Sequence, residues 1–296
     1  MNPTFDIDAL RAVVAGTDLG SFARAAIQLG RSQSAISMQL KKLEQQAGTP
    51  LFVRKGRGLV PTEAGEAFVA YARRIVALND EAALALGSTT TTAAVRLGLP
   101  QDFFDDVMPA TLKAFAGAHE NVHVEVRAGE NHNLAEEVRA GRLDVAIAFF
   151  KSGAPDEGEL LCDMPMQWLA CEAFLETLTG SPVPLVLFNH PCLFRQAALS
   201  ALEQGEMRWR AALTTPSLPG IWAALRSGLG VGVRTDHGRP QDIACVGRSL
   251  KLPVLPAIEV RLLLAPNASP LAHDLSKVLR QETLARVGGV SGATAP

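Results

Sequence analysis

The stretch from residue 20 to residue 65 constrains this chain more than any other. It opens on Gly20-Ser21-Phe22, passes Ala25-Ala26 and Leu29, runs Ser32-Gln33-Ser34-Ala35-Ile36-Ser37 to Gln39-Leu40 and Leu43-Glu44, and closes on Gly48, Leu51-Phe52, Arg54 and Thr62-x-x-Gly65. Small side chains at Ala25 and Ala26 let two helices cross closely, and the turn ending at Gly30 launches a second helix. Leu29, Ile36, Leu40 and Leu43 fall at helical spacing and form one buried stripe, which turns Gln33, Ser34, Ser37, Met38 and Lys41 the other way. That exposed face is short, polar and almost free of acid. Ser32 is placed to cap the helix, whose free N–H groups and dipole then favour a phosphate. Gln is a bidentate partner for adenine in the major groove, and Ser can take a base edge or the backbone. The pattern predicts a helix-turn-helix with a DNA-reading surface made by Ser32, Gln33, Ser34, Ser37, Met38 and Lys41.

After this helix, residues 51–60 alternate and turn at a Gly-flanked basic tip, which reads as a β-wing carrying Arg54 and Arg57 beside the groove. The segment resembles the winged helix-turn-helix of LysR-type transcriptional regulators, and the likeness continues to the C-terminus in length and domain order. Val13 departs from the pattern, since the family more often has an aromatic residue there; the site is apolar either way. The charge balance agrees with a nucleic-acid end. Residues 1–62 hold eight Lys/Arg against four acids, whereas the remainder holds 20 against 26, so a formal net charge of −2 conceals a basic head. No secretory leader opens the chain and no uncharged apolar run approaches the length of a membrane span, so a cytoplasmic protein with no membrane partner is expected.

Residues 63–86 carry Ala64, Phe68, Tyr71, Ile75, Leu78, Ala82 and Ala85 at alternating steps of four and three, a 3.5-residue repeat. A helix with one narrow seam needs a partner for it, and the resemblance implies a linker helix that joins a homodimer or homotetramer. Residues 87–92, Gly followed by Ser and four Thr, read as a hinge. The domains expected are therefore 1–62 for DNA binding, 63–92 for linker and hinge, and 93–296 for an effector domain.

From Ala93 strands alternate with helices, which argues a parallel sheet covered on both faces. Strands are expected at 95–99, 122–126, 144–149, 166–170, 185–188, 209–213, 229–233 and 257–264, and a last helix at about 270–286. The resemblance implies a two-lobed, periplasmic-binding-protein-like α/β domain. Lobe I is expected at 93–162 and 261–288 and lobe II at 163–260, with crossings near Leu161–Met164 and Ile258–Arg261. The tail from Gly288 is small and polar enough to be disordered.

Ligands of such folds bind at strand C-terminal ends and helix N-termini. The loop residues that qualify are Pro100, Gln101, Asp102, Asn131, His132, Phe149, Asn189 and Ser217. Family members often place Ser or Thr directly after the first strand to bind a carboxylate; Pro100 stands there instead, and the Pro followed by an acidic loop resembles the LrhA-like branch. Gln101, Asn131, Asn189 and Ser217 offer uncharged donors and acceptors, and Asp102 beside them favours a ligand with a donor or cationic group.

Other signals point away from chemistry. His119-Glu120-Asn121-Val122-His123 has zincin spacing but spans a helix end and a strand start, where residues four apart lie about 13 Å from each other, too far for one metal. Gly228-x-Gly230-x-Gly232 lacks the strand-then-helix setting of a dinucleotide loop. Cys162, Cys171, Cys192 and Cys245 form no Cys-x-x-Cys and are expected as reduced thiols, with Cys192 after His190-Pro191 the one worth testing for redox sensing. No nucleophile-base pair has catalytic spacing, so no catalytic residue, metal or cofactor is expected, and an architectural DNA binder would not need some 200 residues of cleft domain. The reading is a transcription factor on an inverted-repeat, double-stranded operator, modulated by a small effector held between two lobes.

Overall fold

The computed structural model describes residues 3–55, 58–85, 93–119, 122–129, 131–154, 157–176 and 182–287. Asp6 accepts hydrogen bonds from the N–H groups of Asp8 and Ala9 and starts α1 (Ile7–Asp18). Ser21 caps α2 (Phe22–Gln28), and Ser32 caps α3 (Gln33–Ala47) by accepting from the Ala35 N–H at 3.1 Å. Gly48, at φ +69°, ends α3 in the left-handed conformation that glycine adopts without steric cost. The wing follows as β1 (Phe52–Lys55) and β2 (Gly58–Pro61), antiparallel with Phe52 opposite Pro61.

Two sequence motifs fix that wing. The Glu44 carboxylate on α3 accepts from the N–H groups of Leu51 and Phe52 at 2.9 and 3.0 Å, so the strand starts at a set distance from the reading helix. Thr62 Oγ1 accepts from the Gly65 N–H at 3.0 Å and donates to the Pro50 carbonyl at 2.9 Å, opening α4 (Glu63–Ala85). Gly65 is required because a Cβ there would stand 1.9 Å from the Leu51 carbonyl oxygen. One face of α4, through Val69 and Ala72, packs on Leu10, Val13, Leu43 and Leu51, all nearly fully buried. At about 1.5–3 kcal/mol for each large apolar side chain removed from water, this core is what holds three short helices together. Arg73–Asp18 and Arg11–Asp80 pairs tie α4 to α1.

The second part of the chain is built from β3 (Ala93–Leu99), α5 (Val107–Ala118), β4 (Val122–Ala128), α6 (Asn131–Arg139), β5 (Val145–Lys151), β6 (Glu159–Ala170), β7 (Val183–Phe188), α7 (Leu193–Gln204), β8 (Trp209–Thr215), α8 (Leu218–Arg226), β9 (Gly232–Thr235), β10 (Ala244–Cys245), β11 (Ala257–Leu264) and α9 (Pro270–Val287). A short 3-10 turn at Gln101–Phe103 precedes α5. The main sheet has the order β10-β6-β11-β5-β3-β4, with β9 also on β6, while β7 and β8 form a parallel pair. Val145 to Phe149 are all buried, as a strand covered on both faces requires.

The expected parallel sheet is corrected to a mixed one. β3 is parallel to β4 and β5, but β11 runs antiparallel to both β5 and β6. A chain that leaves a lobe along one strand comes back along the opposite direction, and β11 is that return strand. β6 is also longer than residues 166–170, and it is the strand that spans both lobes. It pairs with β11 as far as Pro165, then with β9 and β10 from Met166 to Ala170. The crossings expected near residues 161–164 and 258–261 fall inside the β6–β11 ladder; the change of partner comes at Pro165/Met166 and, on the return, ahead of Ala257. The strand expected at 229–233 starts later, because Gly228 at φ +67° is still closing α8 and Leu229 is exposed. Val231 makes a single bridge to Leu185 before β9 begins. The expected hinge at 87–92, the wing tip with Arg57, and the tail from Gly288 lie outside the described residues. No helix among the described residues is long and apolar enough to cross a membrane.

Candidate functional site

The reading helix presents two opposite faces. Ile36 and Leu43 are 1% exposed, whereas Ser32, Gln33, Ser34, Ser37, Met38 and Lys41 are all exposed, Met38 at 70%. Ser37 Oγ donates to the Gln33 carbonyl at 2.9 Å and the Ser32 and Ser34 hydroxyls stand 3.0 Å apart, so these serines are partly occupied by the helix itself. The Gln33 amide and the Lys41 ammonium make no hydrogen bond or ion pair among the described residues, which leaves them free for a partner. No acid lies in the first turn of α3, so its N-terminal dipole faces solvent unneutralised. Arg54 is exposed on β1.

The cleft residues divide differently from the expectation. Pro100 is buried and Gln101 and Asp102 half-buried at the end of β3, next to the start of α6, where the Gly129 N–H donates to the Leu99 carbonyl at 3.2 Å. Asn131 and His132 open α6, and their side chains lie outside the described residues. Gln101 crosses to the other lobe: its Oε1 accepts from the Leu218 N–H at 2.8 Å and its Nε2 donates to the Pro216 carbonyl at 3.4 Å. Ser217 caps α8 by accepting from the Gly220 N–H at 3.3 Å. The polar atoms of Gln101 thus bridge the lobes and those of Ser217 cap a helix. Asn189 is half-buried at the end of β7 and donates its N–H to the Thr215 carbonyl at 3.1 Å.

Between the lobes stands an aromatic chain that the sequence reading named only at Phe149. Phe103 and Phe149 from lobe I have ring centroids 5.5 Å apart, Phe149 meets Phe194 of lobe II edge-to-face at 5.4 Å, and Phe103 meets His237 at 5.2 Å. His237 Nε2 lies 3.4 Å from the Asp106 carboxylate across the same boundary. Arg234 on β9 is 5% exposed, with its guanidinium over the rings of Phe188 and Phe194 at 4.7 and 4.6 Å. The buried charge here is thus a cation, at a position other than Asp102. An Arg inside an apolar strand, Gly232-Val233-Arg234-Thr235, was the available signal.

The remaining motifs find ordinary places. His119 closes α5, 3.9 Å from Asp274, and His123 lies exposed on β4. Gly230 fits where a Cβ would stand 2.3 Å from the Pro184 carbonyl, a close strand approach. Burial pushes the Cys162 thiol up, and desolvation with the Asp236 carboxylate does the same for Cys245, so neither favours the reactive thiolate.

The Gln101 tie gives a direct expectation. Gln101→Leu keeps the volume but leaves the Leu218 N–H without its acceptor, at a cost of about 1–3 kcal/mol. The effector-domain melting temperature should drop by several degrees in calorimetry; no change would mean that the tie carries no load in solution.

A DNA-reading head, a long helix and two α/β lobes closed over an aromatic contact together define a ligand-responsive transcriptional regulator. The chain belongs to the LysR family. The profile described as "Bacterial regulatory helix-turn-helix protein, lysR family" matches residues 7–66, and that of the "LysR substrate binding domain" matches residues 89–284. The HTH-type transcriptional regulator DgdR of Burkholderia cepacia is 34% identical over 262 residues, 88% of this chain and 87% of that protein. PecT of Dickeya dadantii, also an HTH-type transcriptional regulator, is 32% identical over 252 residues, covering 85% and 79%. In fold the chain resembles ArgP from Mycobacterium tuberculosis, with a TM-score of 0.72 at 21% identity over 94% of this chain and 97% of that one.

Proposed function

We propose that this regulator works in the cytoplasm as a homodimer, or a dimer of dimers, joined through α4, and that its paired α3 helices and wings read an inverted-repeat operator. The observation that carries this reading is the division of α3 into one fully buried face and one exposed polar face. The seam of α4 supports the assembly: Tyr71, Ile75 and Leu78 are 60%, 43% and 62% exposed in the single chain, on a helix whose other face is already packed on α1. Pairing would bring two reading heads into one molecule, with half-sites related by the same two-fold axis. The cleft between the lobes would take a small effector, and closing or opening at the Gln101 and Phe149–Phe194 contacts would change the geometry of the paired heads.

The test separates base reading from backbone contact. Gln33→Ala should cost about 1–3 kcal/mol on specific DNA and relax the preference at one operator position. Arg54→Ala should weaken all sequences alike and reduce the salt dependence by about one ion. Selection of binding sites from random DNA, run on both variants, decides the matter: an unchanged base preference in Gln33→Ala rules out its reading role.

A further inference from the structure

Among the described residues, Arg234 is a buried cation with no anion beside it. It is 5% exposed, and among the described residues its guanidinium has neither a hydrogen bond nor an ion pair; only the rings of Phe188 and Phe194 face it. A charge taken out of water and left unpaired is costly, and cation–π contact offsets part of that cost. Arg234 shares a cavity of about 10 Å³ with Cys192, Phe194 and Arg195, which lie at the N-terminus of α7. Arg195 has used one nitrogen on the Phe188 carbonyl, at 3.2 Å. Cys192 at the N-cap offers no side-chain cap, and the N–H groups of Leu193 and Phe194 have no acceptor among the described residues. A buried guanidinium without an anion and an uncapped 12-residue helix N-terminus therefore meet at one point.

We propose that this point is the anchor for a carboxylate, and that the effector is a small monocarboxylate with an apolar body. The proposal rests on the reading of the cleft as the effector site and names the class of ligand it takes. Guanidinium and carboxylate match as two parallel N–H···O bonds, and a planar head fits a cavity near the size of one water better than a tetrahedral phosphate does. Phe188 and Phe194 line the same cavity, and Phe149 of the opposite lobe touches Phe194. The body of the ligand would extend along these rings toward the Phe149–Phe194 contact, while its charge is taken up by Arg234.

Formate, the head group alone, is the probe. Three heavy atoms limit its affinity to about the millimolar range, so about 50 mM formate against chloride at equal ionic strength should raise the melting temperature of the full-length protein by about 3 °C. Formamide, neutral and of the same size, should do nothing, and phosphate should do no better than chloride. The rise should vanish in Arg234→Met and persist in reduced form in Arg234→Lys, which keeps the charge if the Met variant does not fold. No rise in the wild type, an equal rise in Arg234→Met, or an equal rise with phosphate would each overturn the proposal. Operator affinity measured in the same samples tests the underlying reading separately: capture of formate with no change in DNA binding retains the anchor and removes its regulatory role.

Discussion

Ile75→Asp is expected to be a monomer at micromolar concentration by light scattering, with operator affinity lower by about 10²–10⁴-fold. Ile75 is 43% exposed in the single chain, and its neighbours along the seam, Tyr71 and Leu78, are more exposed still. An Asp there costs a protomer little, but in a paired seam it would be a charge without water and without a partner. The two measurements must move together, because a monomeric head has one half-site and loses the gain from linkage. The stability of the head domain itself serves as the control, since Val69 and Ala72 on the packed face are untouched. A variant that stays dimeric and binds normally would remove α4 from the assembly.

Gly65→Ala should be the most damaging single methyl in the DNA-binding domain. The added carbon would lie 1.9 Å from the Leu51 carbonyl oxygen, a backbone atom that no rotamer change can move away. Overpacking of this kind costs about 1–3 kcal/mol or more, and relief requires the wing to shift off Glu44 and Thr62. The head domain should melt about 10 °C lower, and binding to all DNA sequences should weaken as the wing is displaced. Gly48→Ala is the comparison. Gly48 has φ +69° but open space around its missing Cβ, so the substitution meets only the conformational cost of about 1 kcal/mol. Equal losses in the two variants would show that the Thr62–Gly65 clasp does not position the wing.

The head was legible because its instructions are local. Ser32 caps three residues ahead, Ile36, Leu40 and Leu43 share a face by helical periodicity alone, and Thr62-x-x-Gly65 is a helix start whose glycine answers to a carbonyl fourteen residues back. The exposed polar face follows as the complement of the buried one. In the effector domain the positions of most strands were equally local, set by short runs of alternating or continuous apolar residues. Their directions were not. Whether β11 runs with or against β5 depends on where the chain was beforehand, and the long span of β6 across both lobes is invisible in a segment that reads as two pieces around Pro165.

The cleft shows the same boundary more sharply. That loops after β3 and around Ser217 would face each other could be read from the resemblance, but the use of their polar atoms could not. Gln101 finds its partner at Leu218, 117 positions away, and Ser217 spends its hydroxyl on its own helix. Arg234 is one charged residue among many until β7, α7 and β9 come together and remove it from water, with no acid paired to it among the described residues. The sequence by itself determined the family, the reading helix, its wing and the alternation of strands and helices, because these rest on contacts a few residues apart and on periodicity. Only the tertiary structure decided strand direction, the tie between the lobes and the buried cation, because each depends on which distant segments exclude water from one another.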